Sequence, residues 1–149
     1  MGYQKLSISY FTIMREKKMP VLVMFIDLDR LKYINDTFGH EYGDFAIVSI
    51  AKAMLKHCDA DAIAARTGGD EFIVLEGAKD EESGRVLAQK IRTELSKTQR
   101  AMQLPFDLSA SIGAVVAHPG EENVLESYVK RAEMLMYEEK AEKKVSRDS

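Results

Sequence analysis

The sequence has one cysteine, no tryptophan and only three prolines among 149 residues. A lone cysteine, Cys58, excludes an intrachain disulfide and fits a reducing, cytoplasmic setting. His57 beside it has no further thiol or imidazole at zinc-ligand spacing, so the pair reads as half-buried helix rather than as a nucleophile or metal site. No run of about 18 apolar residues exists, which excludes a membrane-spanning helix and any membrane contact by this segment of that kind. Residues 1–6 lack a basic region followed by an apolar run, so they make no secretion signal. Basic excess is absent too: the formal net charge is −3. That argues against a general nucleic-acid binder, which needs a strongly positive face to neutralise phosphates. It leaves room for a single nucleotide held by a few local cations. The usual phosphate loops are missing, both Gly-x-x-x-x-Gly-Lys-Ser/Thr and Gly-x-Gly-x-x-Gly after a strand.

What is present suits one compact domain over residues 1–149. The apolar share is 46% and the charged share 30%, enough for a core and for solubility. Spacing predicts a helix over 2–17, with Leu6, Tyr10 and Ile13 on its apolar face and Pro20 beyond its basic end. The dense β-forming run 21–28 predicts a buried central strand. A short helix is expected over 31–37, stopping before Gly39. Asp44 is a plausible N-cap for a helix over 45–57, with Ile47, Ile50, Ala51, Met54 and Leu55 as its stripe. Runs at 62–67 and 72–75 flank Gly68-Gly69-Asp70-Glu71 and predict a hairpin, the glycines supplying the positive φ of a tight turn. Helices are expected over 81–97, carrying Val86, Leu87, Ile91 and Leu95, and over 123–140, carrying Leu125, Val129, Ala132, Leu135 and Met136. Between them lies a strand over 106–117, stopped by Pro119-Gly120. The polar end, 143–149, is expected to fray. Mixed helices and strands around a hairpin favour an α+β sheet over a doubly wound parallel one.

Two acidic features stand out: Asp27 and Asp29 at the end of a very apolar strand, and Asp70 with Glu71 in the glycine turn. Strand ends and turns are where side chains leave a packed sheet and can be aimed at a ligand. If the two segments are neighbours in the sheet, their carboxylates converge. Two carboxylates about 4 Å apart repel by roughly 4 kcal/mol at an effective dielectric of 20, and a cation or shared proton offsets this. Magnesium in phosphoryl-transfer sites is held in this way, by one or two carboxylates, water and phosphate. Each pair taken alone also reads as solvated loop residues. Lys32 follows the acidic strand end, and Lys140, Lys143 and Lys144 close the last helix. Lysines at such a helix end are ordinarily solvated or favoured by its dipole.

The stretch Arg66-Thr67-Gly68-Gly69-Asp70-Glu71-Phe72 resembles the signature that gives the GGDEF family its name. Residues 27–44, from Asp27-Leu28-Asp29-Arg30 to Tyr42-Gly43-Asp44, resemble a second family block. Ser109-Ala110-Ser111-Ile112-Gly113 and Arg131-Ala132-Glu133-Met134-Leu135-Met136-Tyr137 resemble two more, in the family's order. The resemblance implies a fold like the palm of adenylyl cyclases and polymerases, a ferredoxin-like and mainly antiparallel sheet of about five strands flanked by helices. It implies a diguanylate cyclase: two GTP become cyclic di-GMP and two pyrophosphates, with two domains face to face as a transient or parent-driven homodimer. It also implies roles for single residues. Asp27, Asp70 and the Leu28 carbonyl match metal ligands for Mg2+ or Mn2+. Glu71 matches the acid needed for turnover and a further ligand. Gly68 and Gly69 let backbone approach the nucleotide. Asn35 and Asp44 match the pair that reads guanine, which displaces the capping role of Asp44. Lys32 and Lys140 match phosphate contacts.

Three departures from the family accompany the resemblance. The usual Asp-x-Leu-Thr-x-Leu-x-Asn-Arg opening is absent, which suggests a domain cut from a larger regulatory protein. The family's closing Gly-Arg-Asn is Lys143-Lys144-Val145 here, so Lys144 replaces a phosphate-binding arginine and loses its bidentate fork. The Arg-x-x-Asp inhibition site is Asp59 and Ala62, so feedback of that type is not expected. The rival to an active cyclase is a regulatory domain that binds GTP or cyclic di-GMP without chemistry; a purely dimerising module needs neither the metal acids nor a base-reading pair.

Overall fold

The computed structural model describes residues 2–121 and 123–148, the Asp148 side chain excepted. In chain order these form α1 (Tyr3–Glu16), β1 (Val21–Leu28), α2 (Leu31–Phe38), α3 (His40–His57), β2 (Ile63–Arg66), β3 (Glu71–Gly77), α4 (Ser83–Ala101), β4 (Ala110–Ala117) and α5 (Leu125–Asp148). The strands make one sheet in the order β2-β3-β1-β4. Each neighbouring pair is antiparallel. The expected α+β class is therefore found, with four strands in place of about five.

β1 is buried along its whole length because helices cover both faces of the sheet. Leu22, Met24, Ile26 and Leu28 pack with Ile34 of α2, Ile50 and Met54 of α3, and Leu87, Ile91 and Leu95 of α4. Val21, Val23 and Phe25 point the other way, to Phe11 and Met14 of α1 and to Tyr128, Ala132 and Met136 of α5. The two-residue period of a strand thus hides inside one continuous apolar run. Asp27 continues the second set by parity and emerges on the α5 side.

Several local expectations are corrected. The face that α1 buries is Ser7, Phe11 and Met14, one residue round from the expected stripe. Leu6 and Ile13 are exposed. In the other helices Val86, Leu55 and Leu135 are likewise exposed, while Tyr128 and Ala53 are core. A periodic stripe is wider than the buried line, and small or polar residues such as Ser7 sit where elements approach most closely. α3 begins at His40 with Gly39 as its cap, so Asp44 lies inside the helix and caps nothing. Gly39 has φ +104°, a left-handed value that lets α2 pass into α3 through one residue. β4 starts at Ala110 rather than at 106; of the residues before it, Ser109 still accepts from the Asp29 amide at 2.9 Å. α5 does not fray at 143 but stays helical to Asp148; Ser149 lies outside the described residues. Gly113 of β4 explains the close seating of α5. A Cβ there would lie 1.9 Å from the Ala132 carbonyl oxygen and 2.5 Å from the Met136 amide nitrogen.

Candidate metal and nucleotide site

The end of β1 and the signature turn meet through backbone pairing. Asp27 is the cross-strand partner of Glu71 in the β1–β3 ladder. One step on, the Leu28 amide donates to the Asp70 carbonyl at 2.9 Å. Carboxylate oxygens of Asp27, Asp70 and Glu71 consequently all lie within 4.8 Å of one another. This is the convergence that the metal reading requires.

The turn does not work as expected from its glycines. Among the described residues the glycine with positive φ is Gly39, so neither Gly68 nor Gly69 adopts such a value. The Thr67 amide closes the turn on the Glu71 carbonyl at 2.8 Å. The Arg66 guanidinium grips it from below, with Nε 2.9 Å from the Gly68 carbonyl oxygen and 3.0 Å from that of Gly69. A Cβ on Gly69 would meet nothing within 4 Å, and one on Gly68 only the Glu71 Cβ at 4.0 Å, so no contact within the described residues demands glycine at either position. Residue spacing alone gave no sign of this role for Arg66.

Asp27 is the most constrained member of the cluster. It is 4% exposed, and its Oδ1 has no hydrogen-bond partner among the described residues. Burial pushes its carboxyl up to about 7, the Asp70 and Glu71 charges add to the rise, and Lys140 opposes it. Glu71 is raised too, by burial and then by Asp70 and Glu133, against a hydrogen bond from Tyr137 and the charge of Lys140. A buried, partnerless oxygen among converging acids is chemically suited to coordinate a hard divalent cation, so the residues present fit such an ion.

Asp29, its companion at the strand end, does different work. It accepts from the Ser109 hydroxyl at 2.8 Å, the Ser111 hydroxyl at 2.7 Å and the Lys143 ammonium at 2.6 Å. Burial alone would raise its pKa, but the bonds from Lys143 and the two serines outweigh burial and hold it below the usual carboxylate value. Lys143 also donates to the Ala110 carbonyl at 2.8 Å. Behind it Glu139 accepts both forks of Arg92, at 3.0 and 2.9 Å. This chain ties the end of α5 to β1, β4 and α4 and explains why α5 stays helical there. Lys143, read as one more terminal lysine, is structural.

The other cations divide sharply. Lys140 donates to the Leu28 carbonyl at 3.1 Å and lies 3.6 Å from Asp27. Lys140, expected from the resemblance as a phosphate contact, thus lies beside the acids. Lys144 lines a recess of about 210 Å3 with Arg30, Lys140, Lys143 and Arg147. Lys32, by contrast, is fully exposed and paired with Asp36 at 2.6 Å. In this structure it is not gathered into the recess. A larger cleft, about 490 Å3, opens beside it between Tyr33, Phe106 and Arg147.

Gly43 lets α3, which carries Asp44, approach Asn35 of α2 closely. A Cβ on Gly43 would lie 1.8 Å from Asn35 Oδ1. α2 and α3 can therefore close on each other only because that residue is glycine. Asn35 Oδ1 is buried without a hydrogen-bond partner, while Asp44, one residue on, is exposed.

Comparisons with known proteins bear on the family and the fold. The family model "Diguanylate cyclase, GGDEF domain" matches residues 3–146. The probable diguanylate cyclase DgcT of Escherichia coli is 36% identical over 127 residues, covering 83% of this chain and 28% of that protein. The diguanylate cyclase VdcA of Vibrio cholerae is 34% identical over 134 residues, covering 87% of this chain and 39% of that one. The chain therefore spans well under half the length of these relatives. The solved active GGEEF domain of a diguanylate cyclase from Vibrio cholerae superposes with a TM-score of 0.73 at 25% identity, covering 87% of this chain and 82% of that one. No described helix is long and apolar enough to cross a membrane.

Proposed function

Because the chain belongs to the GGDEF family over residues 3–146, we propose that it is a diguanylate cyclase domain that condenses two GTP into cyclic di-GMP and two pyrophosphates. The observation that carries the reading is the cluster of Asp27, Asp70 and Glu71 within 4.8 Å at the end of the ladder. Asp27, Asp70, Glu71 and the Leu28 carbonyl are the groups that would hold Mg2+ or Mn2+. Such an ion, when bound, neutralises phosphate charge and lowers the pKa of a coordinated hydroxyl.

The chain's own residues supply the rest. The Asp44 carboxylate accepts from the guanine N1–H and 2-amino group, and the Asn35 amide bonds to the purine N3 and 2-amino edge. Lys140 and Lys144 face the phosphates and stabilise the charge that builds on the leaving pyrophosphate. Lys32 joins them by leaving Asp36, an exchange that costs little because an exposed ion pair is weak. In each half-reaction the 3′-oxygen of one nucleotide bonds to the α-phosphorus of the other. The bond from that phosphorus to the bridging oxygen breaks, and the pair of electrons leaves with pyrophosphate. Glu71 is the candidate to take the 3′-hydroxyl proton, its carboxylate being part of the cluster and hydrogen-bonded to Tyr137. One domain holds one nucleotide, so a second copy must face it. The domain acts as part of a larger, signal-responsive protein.

Incubation with GTP and Mg2+, followed by chromatography, tests the proposal. It predicts cyclic di-GMP from the wild-type chain and none from Asp70→Ala. GTP binding without product at any protein concentration would support a regulatory domain instead.

A further inference from the structure

Lys140 occupies the position that the proposed cation needs. Its ammonium donates to the Leu28 carbonyl at 3.1 Å and stands 3.6 Å from Asp27 Oδ1 and 3.7 Å from Asp29 Oδ1. Leu28 and Asp27 are two of the groups assigned to the metal. Asp27 Oδ1 has no hydrogen bond among the described residues, so Lys140 is what offsets its buried charge. The neighbouring Lys143 cannot take over, since Asp29 at 2.6 Å and the Ala110 carbonyl at 2.8 Å hold it.

We propose that Lys140 is a resident counter-cation of the acidic cluster, displaced from Leu28 and Asp27 by the incoming divalent ion and received by the nucleotide phosphates. This rests on the cyclase reading and goes beyond a simple phosphate contact. A divalent ion and an ammonium on the same two oxygens repel each other, and the repulsion is removed only when a polyanion lies between them. The lysine stem is flexible enough to swing while its helix stays fixed. Lys143–Asp29 and Arg92–Glu139 supply that fixed frame. Metal and nucleotide are thereby coupled: each raises the affinity of the other by the same factor. Bare metal binds weakly, because Lys140 already offsets part of the acids' charge in the empty site.

The test is a Mn2+ titration at pH 8 read by electron paramagnetic resonance of the free ion. It is run without nucleotide and with a GTP analogue carrying a methylene between the α- and β-phosphorus. Lys140→Met should bind bare Mn2+ at least about tenfold tighter than wild type. The factor by which the analogue tightens Mn2+ should fall by a similar amount. Lys140→Arg, which keeps the charge, should stay near wild type, and circular dichroism establishes that each variant is folded. Bare Mn2+ affinity that is unchanged or weaker in folded Lys140→Met overturns the inference. Asp70→Ala separates the two levels: Mn2+ binding that survives it in both backgrounds overturns the acidic-cluster reading itself.

Discussion

Asp27 faces Glu71 directly across the β1–β3 ladder, and the next amide, Leu28, is bonded to the Asp70 carbonyl at 2.9 Å. The main chain fixes where the acids sit, so removing one carboxylate deletes charge while the ladder stays in place. Asp70→Ala and Asp27→Asn should each lower cyclic di-GMP formation by at least about 100-fold. Far-UV circular dichroism should be unchanged. Activity within about tenfold of wild type in a folded variant would contradict the assignment.

Gly43 bears on Asn35, one of the two residues proposed to read guanine. Alanine there puts a Cβ 1.8 Å from Asn35 Oδ1, so the Asn35 amide must leave its place or α2 must shift. The helix propensity gained, about 1 kcal/mol, is outweighed by an overpacking cost of about 1–3 kcal/mol. Gly43→Ala should raise the dissociation constant for the GTP analogue at least about tenfold, because a positioned hydrogen-bonding amide is worth that much. Calorimetric titration checks this.

Gly113 bears on stability rather than recognition. Its missing Cβ would fall 1.9 Å from a backbone oxygen of α5, and backbone in a packed helix cannot yield as a side chain can. Gly113→Ala should cost about 3 kcal/mol and lower the melting temperature by roughly 10 °C. A thermal melt within about 2 °C of wild type would contradict the packing described.

Asp27 links stability to pH. Its folded pKa of about 7 lies above its ordinary 3.8, chiefly through burial. The folded state then binds the proton more tightly than the unfolded one. The stabilising contribution of the protonated acid is complete below about pH 4 and is lost as pH rises through about 7. In metal-free protein, Asp27→Asn should melt several degrees higher than wild type at pH 8 and no higher at pH 4. Excess Mg2+ with the GTP analogue should remove the advantage, since only the carboxylate binds the ion.

The proposed reaction requires two copies to meet, each bringing one nucleotide. Specific activity should rise with protein concentration until the paired form dominates, which a dilution series measures. Activity flat across the series would contradict catalysis by transient pairing.

Much of this site was legible in the chain itself. Asp27 and Asp70 could be placed side by side because a six-residue apolar run, Val21–Ile26, and a glycine turn each lead into acid, and a hairpin next to a central strand brings such ends together. The Asn35–Asp44 pair followed only from resemblance. The fit of Gly43 against Asn35 needed coordinates, since no periodic pattern reports a missing Cβ. The α1 stripe failed for a related reason: Leu6 and Ile13 fit helical spacing as well as Phe11 and Met14 do, and only the sheet decides which face it covers. Lys143 and Arg66 were unreadable because their partners, Asp29 and the turn carbonyls, are set by tertiary contact and by local turn geometry rather than by spacing. The expected fraying failed over 143–148 because Asp29 gives Lys143 a buried partner that holds the helix end, although residues 144–147 are exposed.

The most direct test of the central claim is anomalous diffraction from crystals grown with Mn2+ and the methylene-bridged GTP analogue. A manganese peak within about 2.5 Å of oxygens from Asp27 and Asp70, with the nucleotide's phosphates on the same ion, is the predicted result. Nucleotide bound with no such peak between the two acids, or a peak held by other residues, would contradict it.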